Sequence, residues 1–111
     1  MIDQRTVYQE CLDSGWDPAD KNSFAEEVAH LHEEISEAFQ AWRLYKDAEV
    51  RFSPEGKPLG VPAEFADVVI GLLYNAERMG FDLWEAVEQK LAYNRTRNYT
   101  TEGRQLHAKG E

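Results

Sequence analysis

The feature that most constrains the fold is a long apolar stripe between positions 24 and 42. Apolar side chains recur there at alternating steps of four and three, and they are Phe24, Val28, Leu31, Ile35, Ala38 and Trp42. This spacing draws one apolar face along an α-helix. Ser23, with Glu26 three positions later, has the pattern of a capping box that opens a helix. The sequence therefore predicts a helix from position 23 to about 45, with Trp42 in the core.

The rest of the chain predicts three more helices and no strand. Residues 3–13 form a short helical pattern, a second pattern begins near Pro62 and ends at Gly80, and Asp82 is placed to cap a last helix that ends near position 95 or 97. Glycine and proline residues between 47 and 62 predict a flexible loop. The expected fold is an all-α, antiparallel four-helix bundle. We expect one helical domain over 1–99 and a flexible tail over 100–111.

Composition and charge exclude several classes of function. The chain has 111 residues and a formal net charge of −9, which argues against the basic surface that DNA and RNA binders use. A single cysteine, Cys11, allows no internal disulfide and suits a reducing compartment. The amino terminus lacks a signal-peptide pattern and the longest apolar run is too short to span a bilayer. These features predict a cytoplasmic protein that binds neither nucleic acid nor membrane.

Two pairs of acidic residues lie beside the apolar stripes of the predicted central helices. Glu34 and Glu37 are three positions apart, and Glu64 and Asp67 repeat this spacing in the next helix. If the two helices pack antiparallel, the four carboxylates face one groove, where they repel unless cations lie between them. Carboxylate ligands favour magnesium or manganese over zinc. The alternative is that each pair belongs to a solvated helix face, and His30 on the same line is interpreted as a hydrogen-bonded border residue.

Two further groups of residues are candidates for binding a phosphorylated ligand. Lys90 and Asn94 are four positions apart on one helical face, and Arg97 adds a planar guanidinium to this basic end of the chain. The alternative is that these cations complement the dipole of the last helix. Trp16 lies in a linker, where its indole could stack on a nucleobase or simply cover the core.

The acidic residues also carry a family resemblance. The run Glu33-Glu34-Ile-Ser-Glu37, followed by Glu64-Phe-Ala-Asp67, resembles the EExxE…ExxD signature of the MazG-like family of all-α nucleoside triphosphate pyrophosphohydrolases. The stretch from Lys90 to Arg97 is similar to the carboxy-terminal segment of that family. The resemblance implies a homo-oligomeric enzyme, dimer or tetramer, that needs magnesium and cleaves between the α and β phosphates of a nucleoside triphosphate.

The resemblance also implies roles for individual residues. Metal ligation and catalysis would fall to the four acids of the paired clusters, and the polyphosphate would be contacted by Lys90, Asn94 and Arg97. Glu33 matches the first acid of the signature without an assigned role. The preferred base and sugar, the number of metal ions and the general base stay open. The alternatives are a non-catalytic helical assembly module and a nucleotide binder without turnover.

Overall fold

The computed structural model describes residues 1–17 and 23–97. Its elements are α1 (Gln4–Asp13), α2 (Phe24–Tyr45), β1 (Arg51–Phe52), β2 (Pro58–Leu59), α3 (Val61–Met79) and α4 (Leu83–Asn94). The described chain is therefore mostly helical, as predicted, with one small sheet in addition. Within these ranges, no helix has both the length and the apolar character needed to cross a membrane.

The helices begin and end where capping residues place them. Ser23 and Glu26 form the predicted capping box, in which Glu26 N donates to Ser23 Oγ at 3.2 Å and Ser23 N donates to Glu26 Oε1 at 2.9 Å. Asp82 caps α4 by accepting a hydrogen bond from the backbone N–H of Glu85. Gly80 ends α3 in the left-handed conformation, with a φ of 86°. The predicted bounds of these helices are confirmed to within a few residues.

The two long helices pack antiparallel. Glu27 near the start of α2 pairs with Arg78 near the end of α3, at 3.8 Å between Oε2 and Nη1. Glu37, further along α2, lies instead beside Glu64 in the first turn of α3. Halfway between, Gly71 allows the helices to approach, because a Cβ at that position would lie 3.0 Å from Leu31 Cδ2. The expected antiparallel packing of α2 on α3 is present.

Residues 47–62 do not form the predicted loop without secondary structure. Strands β1 and β2 pair antiparallel, with Arg51 opposite Leu59 and Phe52 opposite Pro58. The hairpin leads directly into α3 through Gly60. Each strand is only two residues long, too short for apolar alternation to show, so the prediction of a chain without strands was wrong at this point.

The core of the described chain is small. Its buried apolar residues are Val7, Cys11, Ala38, Leu73, Tyr74 and Ala76. Trp42 remains 47% exposed, so its predicted place in the core was wrong. The apolar stripe of α2 is wider than its contact with α3: Ala38 is buried, whereas Ile35 and Trp42 at the edge of the stripe are exposed. α1 is tied to the end of α3 through Gln4 Nε2, which donates to Phe81 O at 2.8 Å.

The chain divides into two compact units, Met1–Phe81 and Asp82–Glu111. The first contains α1, α2, the hairpin and α3, and the second contains α4. Each unit is described by itself below. The predicted single domain over 1–99 stays a prediction, and the predicted tail at 100–111 lies outside the described residues.

Candidate metal centre

Three of the four predicted ligands converge between α2 and α3. Glu34 and Glu37 come from the middle of α2, and Glu64 comes from the first turn of α3. Each offers a carboxylate oxygen that lies within 4.8 Å of the others. Asp67, one turn after Glu64, is outside this group of three, but its charge acts on both Glu34 and Glu64. The four predicted acids therefore occupy one neighbourhood.

Burial and mutual repulsion disfavour the ionised form of the carboxylates in this cluster. Burial raises the pKa of Glu64, and the charges of Glu37, Asp67 and Glu34 raise it further. Burial likewise raises the pKa of Glu34, followed by the charge of Asp67. Like charges at close range disfavour ionisation because each carboxylate repels the next. A cation between them would remove this penalty.

His30 extends the centre along α2. Its Nε2 lies 3.2 Å from Glu34 Oε1, within hydrogen-bonding distance, and its Nδ1 lies 3.8 Å from Glu33 Oε1. The side chain of Glu34 is 18% exposed, whereas that of Glu33 is 78% exposed. Glu34 therefore belongs to the groove and Glu33 to the solvated face. The interpretation of His30 as a hydrogen-bonded border residue agrees with its position.

The donor set fits a hard divalent cation. Ligand oxygens about 2.1 Å from a six-coordinate magnesium lie roughly 3 to 4.2 Å from one another, and the three glutamate oxygens are within 4.8 Å. Zinc would favour a thiolate ligand, and the described residues near the cluster offer none. Cys11, the single cysteine, is buried in α1. Small movements of flexible glutamate side chains would complete such a shell, with water in the remaining positions. Magnesium or manganese is therefore the ion that these residues suit.

A pocket of about 250 Å³ lies next to this centre, in the same unit. It is lined by Gly15, Trp16, Asp17, Glu27, His30, Tyr74 and Arg78. The Trp16 and Tyr74 rings meet edge to face, with their centroids 4.7 Å apart. The Tyr8 ring stacks on the Tyr74 ring, with a centroid distance of 5.2 Å. His30 lines the pocket and also contacts Glu34, so one side chain separates the pocket from the carboxylates. The pocket combines aromatic surface with groups of both charges.

Tyr74 is the residue of this pocket whose importance the sequence did not reveal. It is 3% exposed and belongs to the core, yet it also borders the pocket. The sequence feature that could have identified it is its position on the face of α3 that also carries Glu64, Gly71 and Arg78. That line gave the correct helix face, but the contact with Trp16 depends on how the linker after α1 returns to α3.

The predicted phosphate-binding residues all belong to the second unit. Lys90 is exposed on α4, Asn94 is its last residue and is half-buried, and Arg97 follows in the next turn. The Arg97 guanidinium lies 4.4 Å above the Tyr93 ring, and the Lys90 ammonium lies 5.8 Å from the same ring. Their predicted contact with a polyphosphate stays a prediction.

Comparisons with protein-family models, with curated proteins and with solved structures gave no match to this chain. The functional reading of the centre therefore depends on its own residues and on the motif resemblance. Those residues are the carboxylates in the α2/α3 groove and the aromatic pocket beside them.

Proposed function

We propose that this protein is a magnesium-dependent nucleoside triphosphate pyrophosphohydrolase of the MazG-like type. In this proposal it cleaves between the α and β phosphates to give a nucleoside monophosphate and pyrophosphate. The observation that carries the proposal is the convergence of Glu34, Glu37 and Glu64 from two facing helices beside an aromatic pocket. The motif resemblance adds the reaction type, which the carboxylates alone do not specify.

In this mechanism Glu34, Glu37 and Glu64 would hold the metal, and Asp67 would be its fourth ligand or the ligand of a second ion. When bound, magnesium would neutralise charge on the phosphate oxygens and polarise the attacking water. His30 holds Glu34 in place through the 3.2 Å contact. Burial and the neighbouring carboxylates both raise the pKa values of Glu34 and Glu64, and a bound cation would offset the cost of keeping these groups ionised.

The chemical step is a displacement at phosphorus. The water oxygen attacks the α phosphorus, the bond from that phosphorus to the bridging oxygen breaks, and pyrophosphate leaves with the bond's electron pair. One water proton passes to a carboxylate of the cluster, which acts as general base.

The pocket beside the centre is proposed to hold the nucleoside. Trp16 offers a half-exposed indole, 42% accessible, on which a base can stack, and Tyr74 supports that ring from the side. Because His30 links the pocket to Glu34, a base on Trp16 would direct its phosphates towards the carboxylates. The aromatic and charged lining of this pocket thus supports the proposal that Trp16 contacts a nucleobase.

Replacing Trp16 with alanine is expected to raise KM for a nucleoside triphosphate by about 5- to 150-fold, since stacking of a base on an aromatic ring contributes about 1–3 kcal/mol. Steady-state kinetics of pyrophosphate release would measure this. Trp16→Phe, which keeps an aromatic face, is the matched control and should lose much less. Equal KM values for the alanine variant and the wild type would remove Trp16 from the nucleoside site.

A panel of canonical and deoxynucleoside triphosphates, with phosphoribosyl-ATP, tests the proposed reaction. Each would be assayed for pyrophosphate and for orthophosphate, with and without magnesium. Pyrophosphate from at least one substrate, only with magnesium, is the expected result. Orthophosphate alone would contradict the proposed cleavage. Thermal stabilisation by nucleotide without any product would favour the non-catalytic nucleotide binder, and no response to either ligand would favour an assembly module.

We also propose that the active form is a homo-oligomer, a dimer or a tetramer. An apolar groove of about 390 Å³ on the first unit is lined by Ile35, Ala38, Phe39, Trp42, Val61 and Phe65. Three of its aromatic side chains are 47–60% exposed, which leaves roughly 300 Å² uncovered where a standard interface buries about 800 Å² per partner. Light scattering should give at least twice the 12.8 kDa mass of one chain, and a 12.8 kDa particle would contradict the assembly.

A further inference from the structure

The aromatic pocket contains an ion pair that the mechanism above does not use. Glu27, near the start of α2, and Arg78, near the end of α3, both line the pocket beside Trp16. Glu27 Oε2 lies 3.8 Å from Arg78 Nη1, and the two side chains are 19% and 22% exposed. The pair therefore joins the two helices and also borders the space proposed for the nucleoside.

Both members of this pair keep the capacity to bind a ligand. At 3.8 Å the two atoms attract each other but are farther apart than in a hydrogen bond. A carboxylate has about four lone-pair sites and a guanidinium has five N–H donors, so one such contact leaves both groups able to accept or donate further. A ligand that fills the pocket removes water from them, and a buried charge without a hydrogen-bonding partner is costly. The pair therefore favours a ligand whose edge offers both donors and acceptors.

The position of Glu27 along α2 matches the far end of a nucleoside. Glu27, His30 and Glu34 follow one another on this helix, and His30 Nε2 lies 3.2 Å from Glu34 Oε1. From Glu34 back to Glu27 the helix rises about 10 Å, a span that a sugar and a purine ring can cover. A nucleotide whose phosphates lie at the carboxylate cluster thus brings the outer edge of its base to the ion pair.

The stacking surface and the ion pair border the same space. The Arg78 Cζ lies 6.0 Å from the centroid of the Tyr74 ring, and the centroid of that ring lies 4.7 Å from that of the Trp16 ring. Stacking on the indole would hold the face of a base. The charged groups are then left to contact its edge, which is where bases differ from one another.

The charges around the pocket favour a base with several donors on its edge. Asp17 and Glu27 contribute two carboxylates to the lining, whereas Arg78 contributes one guanidinium. Guanine presents two adjacent N–H groups on its Watson–Crick edge, at N1 and at the 2-amino group, beside the O6 carbonyl. Adenine, cytosine and uracil each present N–H donors from a single nitrogen there. Guanine is therefore the common base that best matches a carboxylate next to a guanidinium.

Resting on the proposed function, we propose that Glu27 and Arg78 recognise the base and select a guanine nucleoside triphosphate. The Glu27 carboxylate accepts one hydrogen bond from N1–H and one from the 2-amino group, and the Arg78 guanidinium donates to O6. Hydrogen bonds with an ionised partner are stronger than neutral ones, so a base that leaves one of these charges without its partner is rejected. The ion pair that joins α2 to α3 thereby determines substrate specificity.

The first test uses the wild-type protein and substrates that differ at one edge of the base. ITP lacks the 2-amino group, whereas 7-deaza-GTP lacks N7, which lies on the edge away from the proposed contacts. The wild type should prefer GTP to ATP, CTP and UTP and should hydrolyse 7-deaza-GTP as it does GTP. With ITP it should lose about 10- to 150-fold in kcat/KM. Calorimetry would measure the binding of GMP and IMP, a comparison that needs no turnover.

Three variants then assign the two contacts. Glu27→Gln should bring the ratio of kcat/KM for GTP over ITP close to one, because an amide has only one acceptor oxygen. Arg78→Met should lower kcat/KM for both substrates by the same factor, since both carry O6, and should keep their ratio. Glu77→Gln is the matched control. Its carboxylate is 20% exposed and also pairs between two helices, at 2.9 Å from Arg5 Nη1, but it lies outside the described pocket lining. It should keep the wild-type ratio even where Tm falls.

Equal rates with GTP and ITP, or a preference for another base, would overturn the proposal and leave the pyrophosphohydrolase proposal standing. An unchanged ratio in Glu27→Gln would mean that the ion pair only joins the helices. If the wild type binds GMP more tightly than IMP but releases no pyrophosphate from any triphosphate, the guanine site stands and the proposed function fails. If it binds neither nucleotide and releases no pyrophosphate, both proposals fail.

Discussion

Replacing Glu64 with glutamine should abolish magnesium-dependent pyrophosphate release while making the magnesium-free protein more stable. The substitution removes one of three converging carboxylates and keeps the size of the side chain. Loss of a partner that merely orients a metal ligand costs about 10- to 100-fold, so loss of the ligand itself should cost at least about 100-fold. Pyrophosphate assays and magnesium titration by calorimetry would measure the two losses.

The gain in stability follows from the sign of the pKa shift. The pKa of Glu64 is raised above its ordinary value of 4.5, chiefly by burial and then by Glu37. The folded protein therefore holds this proton more tightly than the unfolded chain, and stability from this group increases as pH falls. At neutral pH the ionised carboxylate is destabilising, and glutamine removes that cost. The gain in Tm should be present at pH 7 and vanish as pH falls below 4.5.

Glu10→Gln is the matched control for this experiment. Glu10 is an exposed glutamate of α1, so its replacement should leave activity, magnesium binding and Tm near the wild-type values. A Glu64→Gln variant that keeps full activity would exclude Glu64 as a ligand. A variant that loses activity together with several degrees of Tm would show that Glu64 supports the fold, and the activity loss would then say nothing about metal.

Replacing Gly60 with alanine is expected to destabilise the protein by about 2–4 kcal/mol, through backbone strain and a clash. Gly60 has φ 109° and ψ 176°, a conformation that is essentially restricted to glycine. The added Cβ would also lie 2.6 Å from Glu49 O, a backbone atom that cannot move aside as a side chain would. Urea denaturation would measure the change in the free energy of unfolding.

Gly80→Ala separates the two causes. Gly80 also has a positive φ, 86°, but a Cβ there would meet no atom within 4 Å. The substitution should therefore cost only the left-handed conformation, about 1–2 kcal/mol. Equal losses for the two variants would mean that the junction of the hairpin with α3 adjusts without cost. It would also mean that Gly60 does not fix the hairpin in place.

The helices and the acidic line were predictable because both depend on local periodicity. The alternating steps along α2 and the capping box at Ser23 predicted the bounds of this helix, and the shared offset of the acid pairs predicted that they would face one groove if the helices packed antiparallel. Periodicity determines which face of a helix a residue occupies. Because two amphipathic helices pack in only a few preferred geometries, the residues that face each other across them can then be predicted.

The hairpin and the aromatic pocket were not predictable in the same way. The hairpin has only two residues in each strand and is held by the contacts of Arg51 with Asp47 and Tyr45, which have no repeating pattern. The pocket forms because Trp16, in a linker, meets Tyr74, in a helix far along the chain. The exposure of Trp42 was missed because an apolar stripe does not state how much of its width a neighbour covers.

The close approach of α2 and α3 has a mechanical consequence. The helices touch at Leu31 and Gly71, between the Glu27 and Arg78 pair at one end and the carboxylate cluster at the other. A larger side chain at position 71 would push the helices apart there, and because Glu37 lies on α2 and Glu64 on α3, it would also increase the distance between these two carboxylates. A single glycine therefore helps to set the spacing of the candidate metal ligands.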